Sequence, residues 1–163
     1  MRHPFLAALV VAALAACRPQ DPATLCTTYF EPYPDLVSER VRTEENARFI
    51  DAMVAYRAGD YATAVTGLED YLRRPTNDAS VRIYLCCAYL ATGDPGKAEL
   101  QLDHIQNTHI TGFDDHVDWY NALCLLCGGQ VDRAKAQAEY IAAQPAHAFK
   151  VKARDLAASL GSR

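Results

Sequence analysis

Three short stretches of this chain are copies of one pattern. Gly59-Asp60-Tyr61-Ala62-Thr63-Ala64, Gly93-Asp94-Pro95-Gly96-Lys97-Ala98 and Gly129-Gln130-Val131-Asp132-Arg133-Ala134 all read Gly-x-x-x-x-Ala, and successive glycines stand 34 and 36 residues apart. A fixed period of this size marks one supersecondary unit stacked on copies of itself, because a unit so small cannot bury its apolar face alone. Each copy lies between two apolar runs with helical spacing. The glycine stops the first helix by taking up a positive φ, and the alanine lets the second helix come close to the first. The reading is seven helices, near 45–58, 61–73, 79–92, 95–107, 116–128, 131–143 and 146–160. In the last, Phe149, Ala153, Leu156 and Leu160 share one face ahead of Gly161, as expected of a terminal helix that covers the final apolar surface of a stacked array. With 163 residues, half of them hydrophobic, the chain suffices for one such domain and is short for two.

The period and the pattern resemble the tetratricopeptide repeat, a helix–turn–helix unit of 34 residues with Leu-Gly-x-x-Tyr on its first helix and Ala-x-x-x-Phe on its second. In the middle copy Leu85, Cys86 and Tyr89 precede Gly93, and Ala98 and Leu102 follow. Ala52, Ala55, Ala64, Leu68 and Pro75 take the corresponding places in the first copy. In the third, Trp119 lies within one residue of the family's tryptophan place, followed by Ala122, Leu125, Ala134, Ala138 and Pro145, with Ala138 standing in place of a large residue. The two extra residues between copies two and three fall in the polar stretch Asn107–Asp115, which reads as a lengthened loop. The resemblance covers about residues 45–145. It implies an all-α, right-handed α-solenoid of about three repeats plus a C-terminal capping helix, with a repeat domain over 45–160.

The amino terminus reads as an address. Met1 to Pro4 carries positive charge, and Phe5 to Ala16 is unbroken apolar sequence ending in small residues before Cys17, which is the layout of a secretory signal peptide over 1–16. Twelve residues rise only about 18 Å as a helix, against roughly 30 Å of bilayer hydrocarbon, so cleavage is expected in place of a permanent span. Leu14-Ala15-Ala16-Cys17 resembles the lipobox of bacterial lipoproteins, in which the cysteine is lipidated and becomes the first residue. That resemblance implies an anchor at Cys17, worth about 0.8 kcal/mol per buried methylene, and a place in the bacterial cell envelope facing the periplasm. Arg18 is not the aspartate tied to inner-membrane retention in some bacteria, which points toward the outer membrane. Residues 17–44, with Pro19, Pro22, Pro32 and Pro34 breaking regular helix, are expected to be a lipidated tether. Within them Tyr29-Phe30-Glu31-Pro32-Tyr33-Pro34 is too aromatic for a plain linker. It suits packing on the domain's own surface, or an exposed recognition motif.

Catalytic signatures are missing. His-Glu-x-x-His, Gly-x-Ser-x-Gly and the dinucleotide glycine fingerprint do not occur, and Gly93-Asp94-Pro95-Gly96-Lys97 is a turn and not a phosphate loop. The expectation is no enzyme, no cofactor, no catalytic residue and no metal site. Asp114, Asp115, His116 and Asp118, or His104 with His109, offer metal-ligand types, but aspartates before a helix serve more simply as caps. A formal net charge of -4 gives no footprint for nucleic acid. Cys86, Cys87, Cys124 and Cys127 fall on the first helices of adjacent repeats, where small buried thiols are favoured over a disulfide, a metal site or redox chemistry. Cys26 is left without a role.

A second apolar stripe is the more informative pattern. Phe49/Met53/Tyr56, Ile83/Cys87/Leu90 and Trp119/Leu123/Leu126 each fall at i, i+4, i+7 on the first helices, apart from the face that packs repeat on repeat. By resemblance these nine line a concave groove that receives a partner's peptide. Nine largely apolar side chains facing water would form a large exposed patch, so something must cover them. The candidates are the chain's own Tyr29–Pro34 segment or inter-helix packing, and a protein or peptide partner. The expected function is that of a membrane-anchored scaffold or adaptor for protein–protein interaction, with a thiol-based role for the cysteines or a structural homo-oligomer as alternatives.

Overall fold

A computed structural model describes residues 21–74, 78–108 and 111–161. The expected signal peptide 1–16 and the expected lipidation site Cys17 lie outside the described residues, as do Pro75 and His109. Among the described residues the chain is all helical, with eight helices: α1 (Pro22–Tyr29), α2 (Ala47–Arg57), α3 (Tyr61–Leu72), α4 (Ala79–Ala91), α5 (Pro95–Asn107), α6 (Asp114–Cys127), α7 (Val131–Ala143) and α8 (Lys150–Gly161).

The three Gly-x-x-x-x-Ala copies form three nearly identical turns. Gly59, Gly93 and Gly129 have φ of 78°, 79° and 74°. At each, the glycine N–H donates to the carbonyl three residues back, and the next N–H donates to the carbonyl five back. The pairs are Gly59 to Tyr56 with Asp60 to Ala55, Gly93 to Leu90 with Asp94 to Tyr89, and Gly129 to Leu126 with Gln130 to Leu125, all between 2.8 and 3.1 Å. This doubly bonded C-terminal motif satisfies carbonyls that the helix end leaves open. The following helix is started by a side-chain cap: Asp60 accepts from the Thr63 N–H and Asp94 from the Lys97 N–H, both at 3.1 Å. Gln130, the equivalent residue of the third copy, makes no such bond.

Each turn folds its helices into a hairpin, α2 on α3, α4 on α5 and α6 on α7, with α3 against α4, α5 against α6 and α8 against α7. The pattern alanines Ala64, Ala98 and Ala134 are fully buried, as is Ala138. Between α2 and α3 the approach is closer still. A Cβ placed on Gly67 would lie 2.7 Å from the Ala52 Cβ, so only glycine fits there. One continuous apolar core runs through the described residues, and α4 at its centre buries Ala79, Val81 and every residue from Ile83 to Leu90.

Two expectations are corrected. The described part of the expected tether, residues 21–44, is not a plain linker. Pro22 opens α1 at the first helical position, where proline's missing N–H costs nothing and its fixed φ favours the helix. Leu25 of α1 is buried, α1 packs on α6, and Val37 is buried further along. The terminal helix begins at Lys150 and not near 146, because the Phe149 N–H is taken by His147 Nδ1 and the Ala148 N–H by Asp115 Oδ2, at 3.1 and 2.8 Å.

Candidate functional site

The nine stripe residues lie on α2, α4 and α6, and all nine are buried, none above 6% exposed. This corrects the expectation that Phe49, Met53, Tyr56, Ile83, Cys87, Leu90, Trp119, Leu123 and Leu126 line an open groove for a partner. The correction is complete at Met53 and Leu123, the middle residues of the first and third triplets. Both side chains are fully enclosed, with no surface left for a partner to touch, and both belong to the continuous apolar core. Ile83, Cys87 and Leu126 are enclosed to the same degree. The physical reason is that the face is filled within the chain itself, by neighbouring helices and by a segment laid over it.

Helix packing closes the two flanks. Phe49 stacks on Tyr71 of α3 with centroids 5.0 Å apart, and Trp119 lies flat on Phe149 at 5.5 Å with the planes 4° apart. The first helices α4 and α6 also touch one another directly. The centre is covered by residues 30–37, a strap that leaves α1 at Phe30, where the backbone is extended, and crosses the face outside any helix.

The strap is held through its backbone. Tyr56 Oη donates to the Tyr33 carbonyl at 2.9 Å, Tyr120 Oη to the Glu31 carbonyl at 3.1 Å and Tyr84 Oη to the Pro34 carbonyl at 3.2 Å. In return the Tyr33 N–H donates to Cys87 Sγ at 3.4 Å and the Leu36 N–H to Tyr84 Oη at 3.1 Å. These partners sit on three successive first helices. A segment outside any helix lacks helical hydrogen bonds of its own, so its buried amide groups must find partners elsewhere, and the groove's tyrosines supply them. Tyr33 fills the middle, its ring meeting Tyr84 at 5.4 Å, Phe113 at 6.1 Å and His116 at 5.0 Å, all edge to face. Glu31 pairs with Lys152 of α8, and Tyr29 Oη shares a 2.9 Å hydrogen bond with Ser159 Oγ. At the far end Asp35 Oδ1 accepts from the Val37 and Ser38 N–H groups, closing the turn that leads away.

A covalent clamp secures the near end. Cys26 of α1 is bonded to Cys127 at the end of α6, 101 residues further on. This corrects the reading of Cys127 as one of four helix-packing thiols and gives Cys26 its role. The free cysteines among the described residues are Cys86, Cys87 and Cys124, all buried.

The electrostatics of this face favour hydrogen bonding over reaction. Burial raises the Tyr56 and Tyr120 phenols far above their ordinary value and pushes Tyr84 up to about 12, so all three remain donors. Burial likewise pushes the Cys87 thiol up to about 11 and raises that of Cys86 well above the ordinary thiol, with Cys124 beside it. A thiol held protonated is a poor nucleophile and a poor metal ligand.

The acidic stretch at the start of α6 is arranged differently from the sequence expectation. His116 turns toward the aromatic cluster of Tyr33, Phe113 and Phe149, and burial holds its imidazole below the usual value. Asp115 and Asp118 instead face His147, whose buried Nε2 lies 3.6 Å from an oxygen of each. Because His147 Nδ1 accepts the Phe149 N–H, the neutral ring carries its proton on Nε2 and offers no lone pair there. Metal-bound histidines show the opposite arrangement, with the second nitrogen donating. Among the described residues no group of three histidine, cysteine, aspartate or glutamate side chains is placed to hold a metal ion. Burial raises the Asp118 carboxyl above its ordinary value.

Periodicity makes the stripe legible. Of the tyrosine hydroxyls that bind the strap it marks Tyr56 alone, because a hydrogen bond to a carbonyl leaves no trace in the side-chain pattern. Compared with protein-family models, with curated proteins and with solved structures, the chain matches none.

Proposed function

We propose that this protein is a membrane-tethered binding module of the bacterial cell envelope. In this reading it is a right-handed α-solenoid of about three tetratricopeptide-type repeats with a C-terminal capping helix, anchored by lipid at Cys17. Its concave face holds a peptide segment, and it acts as a scaffold or adaptor without catalysis.

The observation that carries the reading is the binding of residues 30–37 by the groove. Three tyrosine hydroxyls, from α2, α4 and α6, each donate to a main-chain carbonyl of this segment. Contact to the main chain supplies affinity, and the pocket around Tyr33 supplies selectivity, which is the division of labour expected of a peptide-recognition surface. The three matching glycine turns favour a repeat array. The Cys26–Cys127 disulfide favours an oxidising compartment, in keeping with the signal sequence. No helix among the described residues is long and apolar enough to cross a membrane.

A photocrosslinking side chain at Tyr56, which touches the strap in the folded chain, tests the proposal in cells. Capture of a second protein supports it. Capture of residues 29–34 of the same chain and nothing else, with the Cys26–Cys127 disulfide reduced as well as intact, contradicts it.

A further inference from the structure

We infer that the strap 30–37 is a built-in ligand held in place by the Cys26–Cys127 disulfide, and that reducing this disulfide opens the groove to a partner's segment carrying a Pro–aromatic–Pro pattern. The inference rests on the binding-module reading and specifies the ligand class and the control of that site.

The ligand class follows from the present occupant. Phe30-Glu31-Pro32-Tyr33-Pro34 lies outside any helix, extended at Phe30, with prolines on both sides of the one tyrosine that enters the aromatic cluster. Proline favours the extended conformation in advance and lowers the entropy lost on docking. Its carbonyls remain free to accept, and the groove offers mainly donors: Tyr56, Tyr120 and Tyr84.

The control follows from how the strap is attached. On one side it continues into α1, a helix of eight residues. So short a helix does not persist in water without tertiary support, and α1 is supported by Leu25 and by the disulfide. Both half-cystines are only partly buried, within reach of a reductant. A dithiol reductant supplies two electrons to the Cys26–Cys127 bond. Its own sulfurs join as a disulfide, and its two protons end on the thiols of Cys26 and Cys127. The strap is then joined at that end to a helix free to fray, and it can peel from the groove in the direction of Val37.

Cys87 reports on the strap directly, since its sulfur accepts the Tyr33 N–H, while Cys86 and Cys124 are buried elsewhere in the core and act as internal controls. Alkylation of the full-length protein by a small maleimide, mapped by mass spectrometry, should run at least tenfold faster at Cys87 after reduction, with Cys86 and Cys124 unchanged. The Cys26→Ser/Cys127→Ser protein should behave as the reduced protein does without reductant. Tyr33→Ala should speed Cys87 labelling with the disulfide intact. A fluorescent synthetic peptide spanning Thr28–Ser38 should bind the reduced protein and the double-serine variant at least tenfold more tightly than the oxidised protein.

Unchanged Cys87 labelling on reduction overturns the inference. So does opening without peptide uptake, or opening accompanied only by concentration-dependent dimers, in which a second copy's strap fills the groove. If the Tyr56 crosslink captures a partner from the oxidised protein, the binding-module reading stands and the disulfide gate alone falls.

Discussion

The hairpins and the strap are held together by contacts of opposite kind. Within a hairpin the chain meets itself a few residues on, through a glycine turn and a buried alanine that recur at a fixed period, with an aspartate cap in the first two copies. Where the strap meets the hairpins, Leu36 reaches Tyr84 across 48 positions, Tyr33 reaches Cys87 across 54, and Cys26 reaches Cys127 across 101. The first kind is cheap in chain entropy and repeats with the sequence. The second must close long loops before any contact forms, which is why it is fixed by a covalent bond and by aromatic side chains of large buried area.

Substitutions at each kind of contact can break or sharpen this contrast. Trp119→Ala removes the largest fully buried side chain and its stacking on Phe149. It should lower unfolding free energy by about 3–5 kcal/mol, read by urea titration. Removing the clamp with Cys26→Ser/Cys127→Ser should cost about 2–4 kcal/mol, the typical contribution of a disulfide. Its loss should fall mainly on hydrogen-exchange protection of residues 22–37, leaving α3 to α5 protected. Gly67→Ala acts within a hairpin. The gain in helix propensity is up to about 1 kcal/mol, but the new Cβ would meet Ala52 at 2.7 Å. Overpacking of about 1–3 kcal/mol should win, so the melting temperature should fall.

Gln130→Asp is expected to move stability the other way, because it gives the third hairpin the side-chain cap that Asp60 and Asp94 give the first two. A gain of about 0.5–1 kcal/mol is expected, visible as a higher melting temperature. The smallest effect is on acidity. Burial, with a lesser contribution from His147, holds the His116 imidazole below 6.5, against an opposing pull from Asp115. The unfolded chain therefore takes up a proton in a range where the folded chain does not. The stability supplied by the neutral ring is complete above 6.5 and is lost as pH falls from there toward the lowered folded value. Melting curves between about pH 8 and pH 5 should show this slope, and His116→Phe should flatten it.

The same contrast explains what is legible in the sequence. The repeat can be read because Gly59, Gly93 and Gly129 each need a positive φ and Ala64, Ala98 and Ala134 each need small volume, demands that are local and periodic. Six of the seven anticipated helices lie within about two residues of their expected bounds. The stripe from Phe49 to Leu126 is legible as a face, and Tyr29–Pro34 stands out as a candidate for covering it. That Met53 and Leu123 lie wholly inside is not legible, because periodicity assigns a residue to a face and says nothing of what lies over that face. The pairing of Cys26 with Cys127 is not legible either, since nothing in a 101-residue separation favours one cysteine over the others. Helix α1 escapes a reading in which Pro22 breaks helix, although proline at the first helical position favours a start. His147 escapes as the partner of Asp115 and Asp118 because it comes from a loop outside the repeat.

The central claim is that the chain's own strap fills the face formed by α2, α4 and α6. Amide exchange of Tyr33 and Leu36, followed by NMR in the oxidised protein, tests it most directly, because these N–H groups donate to Cys87 Sγ and Tyr84 Oη and to nothing in the strap itself. Exchange at least tenfold slower than at the exposed residues Glu44 and Glu45 is the predicted result. Exchange of both amides at the rate of an unstructured peptide would contradict it.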